Sequence, residues 1–190
     1  MPEAEVQDLI IRCQEGDRAA FRDLVVNHQS FAFGLALRML CEEHDAADVV
    51  QEAFVRVWKH IDDFNPENRF TTWLYAIVSN LCLDRLRGRR RARRLFARSE
   101  EASDIEALPD LQLIDEVHSN RELVRIIRLL AEKLSAKQRL VFALRDLQDC
   151  SIEETSAITG MSASSVKSNL CYARRHIREM LARSYDVKEL

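Results

Sequence analysis

The sequence predicts an all-α protein built from two small helical domains. Its 190 residues include only four glycines and three prolines, and its apolar residues recur mostly at the spacing of an amphipathic helix. This pattern lapses over residues 96–121, where serine, alanine and Pro109 stand among acidic residues. We therefore expect a first domain over residues 1–95, a flexible acidic linker over 96–121 and a second domain over 122–190.

The predicted first domain begins with two amphipathic runs. Residues 3–14 form a short helix that Gly16 ends, and Asp17 is placed to cap the next helix. The apolar residues that follow continue to Leu40 and predict one or two helices. Asp45 can cap a further helix, whose apolar stripe would face the core. That stripe consists of Val49, Val50, Ala53, Phe54, Val57 and Ile61.

The polar face of this further helix has two interpretations. Asp48, Gln51 and Glu52 lie largely off the apolar stripe. They can form an ordinary solvated surface, which is where charged residues usually lie. They can also form a docking face for a partner protein. Periodicity alone favours the solvated surface.

The last helix of the first domain combines aromatic and basic residues. A loop over residues 62–69 precedes it, and Thr71 or Thr72 is placed to cap it. Its first half carries Phe70, Trp73 and Tyr75, some of which belong in the core, and its second half is rich in arginine. Bases stack on rings while cations follow phosphates, so this mixture suits single-stranded nucleic acid. A merely soluble basic tail is the alternative for the arginines alone.

The charges of the chain are segregated. The formal net charge is −3, which is unusual for a protein that binds nucleic acid. Between residues 85 and 98, however, there are eight arginines and no acid, whereas residues 99–122 hold eight acids and one base. A strongly basic block therefore lies beside a strongly acidic one, and the average charge does not argue against nucleic-acid binding.

The second domain ends in a helix-turn-helix pattern. Ser135 with Gln138 can form a capping box that opens one supporting helix, and another is expected from Glu122. Ser151 and Glu154 form a second capping box, and a glycine then supplies the turn. That turn glycine is Gly160. We expect Ser162 to cap the closing helix, whose inward-facing residues are Val166, Leu170, Ala173 and Ile177.

The outer face of that closing helix favours DNA over the alternative of a plain helical hairpin. It carries small hydroxyl groups and cations, the residue types that reach base edges and phosphates in the major groove. Lys167 and Ser168 stand near the start of the helix and suit base edges. The whole candidate set is Ser164, Ser165, Lys167, Ser168, Cys171, Tyr172, Arg174 and Arg175.

Several function classes find no support. The sequence holds no P-loop, GxGxxG, HExxH or GxSxG motif, and its five histidines have no evident acid partners, so we expect no enzyme and no cofactor. The five cysteines form no CxxC pair, and Cys41 with His44 falls short of a zinc site. No apolar run is long enough to cross a membrane. The acidic N-terminus lacks a signal-peptide core, which indicates a cytoplasmic protein.

Three segments in this order resemble the bacterial sigma factors of the extracytoplasmic-function group, compact members of the σ70 family with the two domains σ2 and σ4. The first is Asp48-x-x-Gln51-Glu52-x-Phe54-x-x-x-Trp58, similar to the core-polymerase-binding helix of that family. The second is Phe70-Thr71-Thr72-Trp73-Leu74-x-x-Ile77 followed by Asn80 and the arginines, similar to its −10 region. The third, from Leu134 to Ile177, is similar to its −35-binding domain.

The resemblance implies roles for individual residues. Core RNA polymerase would be bound by Asp48, Gln51, Glu52, Phe54 and Trp58. The unwound −10 element and its upstream phosphates would be bound by Asn65, Asn68, Arg69, Thr72, Trp73, Asn80, Arg85, Arg87, Arg89 and Arg90. The closing helix of the second domain would read the −35 element, although relatives often carry arginine where this chain has Lys167, Asn169 and Tyr172.

The resemblance also implies regulation by a partner. Members of this group are commonly held inactive by an anti-sigma factor, often linked to a membrane, and we expect one here. The implied function is promoter-specific transcription initiation for a stress, envelope or metal-response regulon. The alternative is a stand-alone helix-turn-helix regulator in which residues 1–95 serve as a sensor or dimerisation domain. That reading leaves the aromatic and arginine-rich helix unexplained.

Overall fold

In a computed structural model, residues 2–96 and 134–186 are described, and every regular element in these ranges is helical. The all-α prediction is thereby confirmed. The predicted linker from residue 97 onward and the start of the helix expected from Glu122 lie outside the described residues. Within residues 2–96 and 134–186, no helix has both the length and the apolar character that crossing a bilayer requires. The elements are α1 (Glu3–Gln14), α2 (Arg18–Leu40), α3 (Glu43–His60), a 3₁₀ turn (Ile61–Asp63), α4 (Phe70–Phe96), α5 (Ala136–Phe142), a π-helical turn (Ala143–Leu147), α6 (Ile152–Thr159) and α7 (Ala163–Asp186).

Most of the predicted helix ends are confirmed. The Asp17 carboxylate accepts backbone N–H groups at the start of α2, at 2.8 and 3.2 Å. Ser135 and Ser151 each close a capping box, at α5 and α6 respectively. Gly160 ends α6 with a φ of +68°, a left-handed conformation that suits glycine. The Ser162 hydroxyl accepts a backbone N–H at the start of α7, at 3.2 Å.

The predicted Asp45 cap is wrong. Glu42 caps α3 instead, because its longer side chain folds back and accepts the backbone N–H groups of His44, at 2.9 Å, and Asp45, at 2.5 Å. Asp45 therefore lies inside the first turn of α3. Its carboxylate accepts hydrogen bonds from Arg85, at 3.0 Å, and from Arg89, both on α4.

The threonine cap predicted for α4 is also wrong. The helix begins at Phe70, so both threonines lie in its first turn. The carbonyl of Arg69 accepts the backbone N–H groups of Thr72 and Trp73, at 3.1 and 3.3 Å. Burial of the Phe70 ring, which is 1% exposed, accompanies this earlier start, because a core contact outweighs the preference for a hydroxyl cap.

The core of the first domain lies between α1, α2, α3 and α4. The apolar stripe predicted for α3 is buried in full. The apolar run that ends at Leu40 forms one helix, α2, and α4 contacts both α2 and α3. The largest fully buried side chains of this part are Ile10, Leu24, Leu35, Met39, Val49, Val57, Phe70, Leu74 and Val78.

The second domain joins this core. Apolar side chains of α5, the π-helical turn and α6 belong to the same buried cluster as the first domain, and α6 packs on α4. Arg139 adds a hydrogen bond to the carbonyl of Met39, at 2.6 Å. Smaller clusters around Leu134 and Val141 hold α7 to the rest of its own domain. The joining side chains are Leu140, Ala143, Leu144, Cys150 and Ile158.

The shared core predicts that damage in the second domain reaches the first. Leu144 is fully buried, so Leu144→Ala should lower the free energy of unfolding by about 2–5 kcal/mol. Urea titration followed by the fluorescence of Trp58 and Trp73, the two tryptophans of the chain, reports on the first domain. Leu170→Ala, the same truncation in the cluster of α7, should shift this transition less. An unshifted tryptophan transition in Leu144→Ala would contradict the shared core.

Candidate functional site

A wide apolar groove of about 940 Å³ lies between α2 and α3. The Trp58 ring forms one part of its wall, 4.8 Å from the ring of Phe21 and tilted by 58°. Val55 is 45% exposed and Trp58 is 37% exposed, so apolar surface remains open to a partner. The groove is lined by Arg18, Phe21, Val25, Gln29, Ser30, Phe33, Ala47, Val50, Gln51, Phe54, Val55, Trp58 and Lys59.

Three of the five residues predicted to bind polymerase line this groove. Phe54 is buried in its floor, while Gln51 and Trp58 are exposed at its edge. Asp48 and Glu52 are exposed on α3 outside the lining. The Glu52 carboxylate pairs with Arg56, one turn further along the helix, at 2.5 Å. Exposed polar side chains of α3 therefore lie both in the lining of this apolar groove and outside it.

The loop before α4 forms part of a second cavity, of about 770 Å³. The Asn65 side chain accepts the backbone N–H of Glu67, at 3.0 Å, and fixes the turn of the loop. Asn65, Asn68 and Arg69 are exposed. The cavity brings together five residues predicted for the −10 element: Asn65, Asn68, Arg69, Thr72 and Trp73.

The rings at the start of α4 divide between the core and the surface. Phe70 and Tyr75 are buried, and burial raises the pKa of the Tyr75 hydroxyl to about 12. Trp73 is half-buried and stacks on Phe64, with ring centroids 4.6 Å apart and an angle of 25°. Trp73 thus lies half-buried in the cavity wall, whereas Phe70 and Tyr75 are core residues.

The arginines of α4 differ in their surroundings. Arg85 and Arg89 are half-buried, bind Asp45 and fasten α4 to α3. Arg87 is exposed and pairs with Asp84 at 2.7 Å, and Arg90 is exposed as well. Asn80, also predicted for the −10 element, is exposed on the same helix. Sequence reasoning missed the pairing with Asp45, because 40 residues separate it from Arg85 and 44 separate it from Arg89.

Helix α7 has the two faces predicted for it. Val166, Leu170 and Ala173 are buried, and Ile177 is half-buried against the core of the second domain. Ser165 is half-buried, and its hydroxyl oxygen accepts a hydrogen bond from the side-chain amide of Asn169 at 3.4 Å. The other predicted DNA-contact residues are exposed: Ser164, Lys167, Ser168, Cys171, Tyr172, Arg174 and Arg175.

Two contacts on α7 orient its cations. Arg174 donates two hydrogen bonds to the Asp146 carboxylate, at 2.8 and 2.6 Å, and these bonds raise the Arg174 pKa. The Arg175 guanidinium lies over the Tyr172 ring, 5.0 Å from its centroid. Sequence reasoning missed Asp146, which the fold brings to α7 from 28 residues away.

Comparison with known proteins gives consistent matches over nearly the whole chain. Residues 24–92 match the family model of sigma-70 region 2, and residues 124–177 match that of sigma-70 region 4. The chain is 30% identical over 183 residues to the ECF RNA polymerase sigma factor SigW of Bacillus subtilis, covering 94% of this chain and 98% of SigW. It is 33% identical over 175 residues to the ECF RNA polymerase sigma-E factor of Escherichia coli strain K12, covering 90% of this chain and 91% of that factor.

Solved structures agree with this result. CnrH, solved in complex with the cytosolic domain of CnrY, is 29% identical, with a TM-score of 0.69 over 94% of this chain and 98% of CnrH. The sigma factor RpoE of Bartonella quintana, at 23% identity, shares the fold with a TM-score of 0.67, over 85% of this chain and 96% of that one. The chain therefore belongs to the sigma-70 family and to its extracytoplasmic-function group, which consists of transcription initiation factors and not of enzymes.

Proposed function

We propose that the chain binds core RNA polymerase through the groove between α2 and α3 and directs transcription initiation at promoters with defined −10 and −35 elements. The open apolar groove is the observation that carries this proposal. A groove between two helices, with an apolar floor and a polar rim, suits an amphipathic helical segment of a partner. Gln51, Phe54 and Trp58 line it, and these residues belong to the motif that resembles the polymerase-binding helix of the family.

The cavity at the loop before α4 supports a role in strand capture. Its exposed amides, Asn65 and Asn68, can donate to and accept from base edges, and Arg69 supplies a cation. Trp73 offers a ring on which a base can stack. Unstacking a base costs a few kcal/mol, which a pocket and a stacking partner can offset. We assign the −10 element to this cavity, with Arg87 and Arg90 directed at upstream phosphates.

The exposed face of α7 supports recognition of the −35 element. Lys167 and Ser168 lie within two turns of the start of the helix, where a recognition helix reaches base edges. Arg175 is better suited to phosphates. Arg174 is already held by Asp146 in a bidentate pair, so we assign it chiefly to orienting α7 against the π-helical turn.

A protein inhibitor and a cytoplasmic location complete the proposal. The similar chain CnrH was solved with the cytosolic domain of a second protein, CnrY, which supports a protein partner for this chain. We propose an anti-sigma factor linked to a membrane, and a regulon that responds to stress or to changes in the envelope or in metals. A stand-alone regulator is not favoured, because both family models are matched in the order found in sigma factors.

Core polymerase should be required for strand opening. In a reconstituted system with genomic DNA fragments of the host, we expect specific transcript starts and permanganate-reactive thymines when both core polymerase and this chain are present. Neither component alone should produce them, because each holds only part of the promoter-binding surface. Thymine reactivity with the chain alone would contradict the proposal, and so would identical start sites with and without the chain.

Polymerase docking is expected to depend on the rim of the groove. The double variant Asp48→Ala/Gln51→Ala should weaken binding to core polymerase about tenfold or more, as expected when contact residues are truncated. Both side chains are exposed, so the thermal unfolding temperature should change little. The matched control is Asp8→Ala/Asn27→Ala, an exposed acid and amide at a different groove, between α1 and α2. Equal affinities of the two double variants for core polymerase would refute the assignment.

Loss of a base contact and loss of a phosphate contact on α7 should change DNA binding in different ways. Lys167→Ala in the holoenzyme should cost about 1–3 kcal/mol on the preferred −35 element and flatten the preference at one or two base pairs. Arg175→Ala should weaken binding to all sequences alike and reduce the salt dependence by about one phosphate contact. Binding to a −35 library at several salt concentrations separates the two. If Lys167→Ala weakens binding to all sequences alike while Arg175→Ala changes the base preference, α7 lies on the DNA in a different rotation from the one assigned here.

A further inference from the structure

One cation on α7 is held by a carboxylate of its own domain. Arg174 donates two hydrogen bonds to Asp146, from Nε to Oδ2 at 2.8 Å and from Nη2 to Oδ1 at 2.6 Å. One guanidinium thus engages both oxygens of the carboxylate, the bidentate geometry that makes arginine–carboxylate pairs strong and directional. The proposed function uses this pair only to orient α7, and its effect on the charge that α7 presents to DNA is a separate matter.

Arg174 lies on a side of α7 that also carries a residue assigned to DNA. It follows Lys167 by seven residues, which is close to two turns of an α-helix. The two residues therefore share a face and lie about 10 Å apart along the helix axis. The Arg174 side chain is 52% exposed. An unpaired guanidinium at this position could bind a phosphate of a duplex on α7, whatever the sequence of that duplex.

The turn that carries Asp146 is fixed by packing and by hydrogen bonds. Ala143 and Leu144 of the π-helical turn are 1% and 0% exposed. Arg145 donates to the carbonyl of Cys150, and the backbone N–H of Cys150 donates to the carbonyl of Leu144 at 2.9 Å. The Asp146 side chain itself is only 19% exposed. The carboxylate is thus held beside α7, and a phosphate would have to compete with it for the guanidinium.

The adjacent arginine has different surroundings. The Arg175 guanidinium lies over the Tyr172 ring, 5.0 Å from its centroid, and an aromatic face leaves the positive charge of the guanidinium uncancelled. Arg174 and Asp146 together form a pair without net charge. Of these two neighbouring cations, Arg175 therefore keeps its full charge for the release of counterions from DNA, whereas Arg174 does not.

We propose that Asp146 is a positioning residue that limits sequence-independent binding of DNA, because it holds Arg174 against the protein and away from phosphates. The inference rests on the proposed assignment of α7 to the −35 element. A free arginine at this position would add one phosphate contact on every sequence. With Asp146 in place, the DNA affinity of α7 depends more on residues that reach base edges, such as Lys167. This matters because a genome offers far more competing sites than preferred ones.

The test compares Asp146→Asn with the matched control Asp149→Asn. Each variant removes one negative charge with little change in side-chain volume. Asp149 is exposed three residues further along the chain, and its φ of +52° lies in the left-handed region that asparagine also adopts. The probe is a fluorescein-labelled DNA duplex of about 30 random base pairs. Its binding to the full chain is measured by anisotropy from about 0.05 to about 0.5 M salt, the range over which counterion release is read.

Asp146→Asn should release Arg174 and add one phosphate contact. The slope of log affinity against log salt should then become steeper by about 0.9. Counted from 1 M salt, this slope corresponds to a gain in affinity of up to about eightfold near 0.1 M and about twofold near 0.5 M. Asp149→Asn should change the slope much less, because the Asp149 carboxylate is not the one that holds Arg174.

A double variant shows whether the gain passes through Arg174. In Asp146→Asn/Arg174→Gln, neutral groups replace the whole pair. The affinity and the slope should stay close to those of the unchanged chain, because the pair makes no phosphate contact. Arg175→Gln, a truncation of the adjacent cation, should instead lower the affinity and flatten the slope by about one contact. Thermal unfolding followed by circular dichroism verifies that each variant is folded, and the double variant tests the proposal even if Asp146→Asn alone is not.

The outcomes separate the inference from the function on which it rests. Equal gains in Asp146→Asn and Asp149→Asn, or no gain in a folded Asp146→Asn, would overturn the proposal. A gain that persists in the double variant would do so too, since it would not pass through Arg174. A loss in the double variant as large as that of Arg175→Gln would mean that Arg174 already contacts DNA, and would also overturn it. If Arg175→Gln has no effect, the assignment of α7 to DNA fails, and the inference fails with it.

Discussion

The packing of α4 between the two domains is the constraint on which the rest of the structure depends. One side of α4 buries Phe70, Leu74 and Val78 against the first domain, and α6 packs on the same helix from the second domain. Burial of such side chains contributes about 1.5–3 kcal/mol each, far more than the polar contacts at the seam. The position of α4 therefore determines both where the loop before it lies and which surface the helix-turn-helix covers.

In this arrangement the second domain lies beside the start of α4 and leaves the groove between α2 and α3 uncovered. The residues proposed to bind a single strand, such as Arg69 and Trp73, lie at the end of α4 nearest α6. The groove between α2 and α3 is lined by residues of those two helices and stays open in the same arrangement. A partner can thus bind the groove while the domains remain together.

Local features were predictable from the sequence, and long-range pairs were not. The capping boxes at Ser135 and Ser151 span three residues each, so the chain itself brings their partners together. The inward face of α7 follows from helical period, and the three motifs were recognised from their spacing. Asp45 was misassigned as the cap: Glu42 takes that role, and Asp45 accepts hydrogen bonds from Arg85 and Arg89, 40 and 44 residues away. The pairs Arg174–Asp146 and Arg69–Glu154 depend on the tertiary packing of α7 and α6, for which periodicity gives no signal.

The internal ion pairs also bear on the proposed binding of DNA by an acidic chain. Arg85 and Arg89 are committed to Asp45, Arg174 to Asp146, and Arg69 to Glu154. A cation that is already paired releases little additional counterion free energy when it meets a phosphate, because its own carboxylate must first be displaced. Under the proposed function, these pairs lower the general affinity for nucleic acid, and exposed Lys167 and Arg175 act at a defined site. We therefore expect promoter binding to depend on a partner that holds both domains on the DNA together, since two weak contacts on one rigid assembly reinforce each other through their effective concentration.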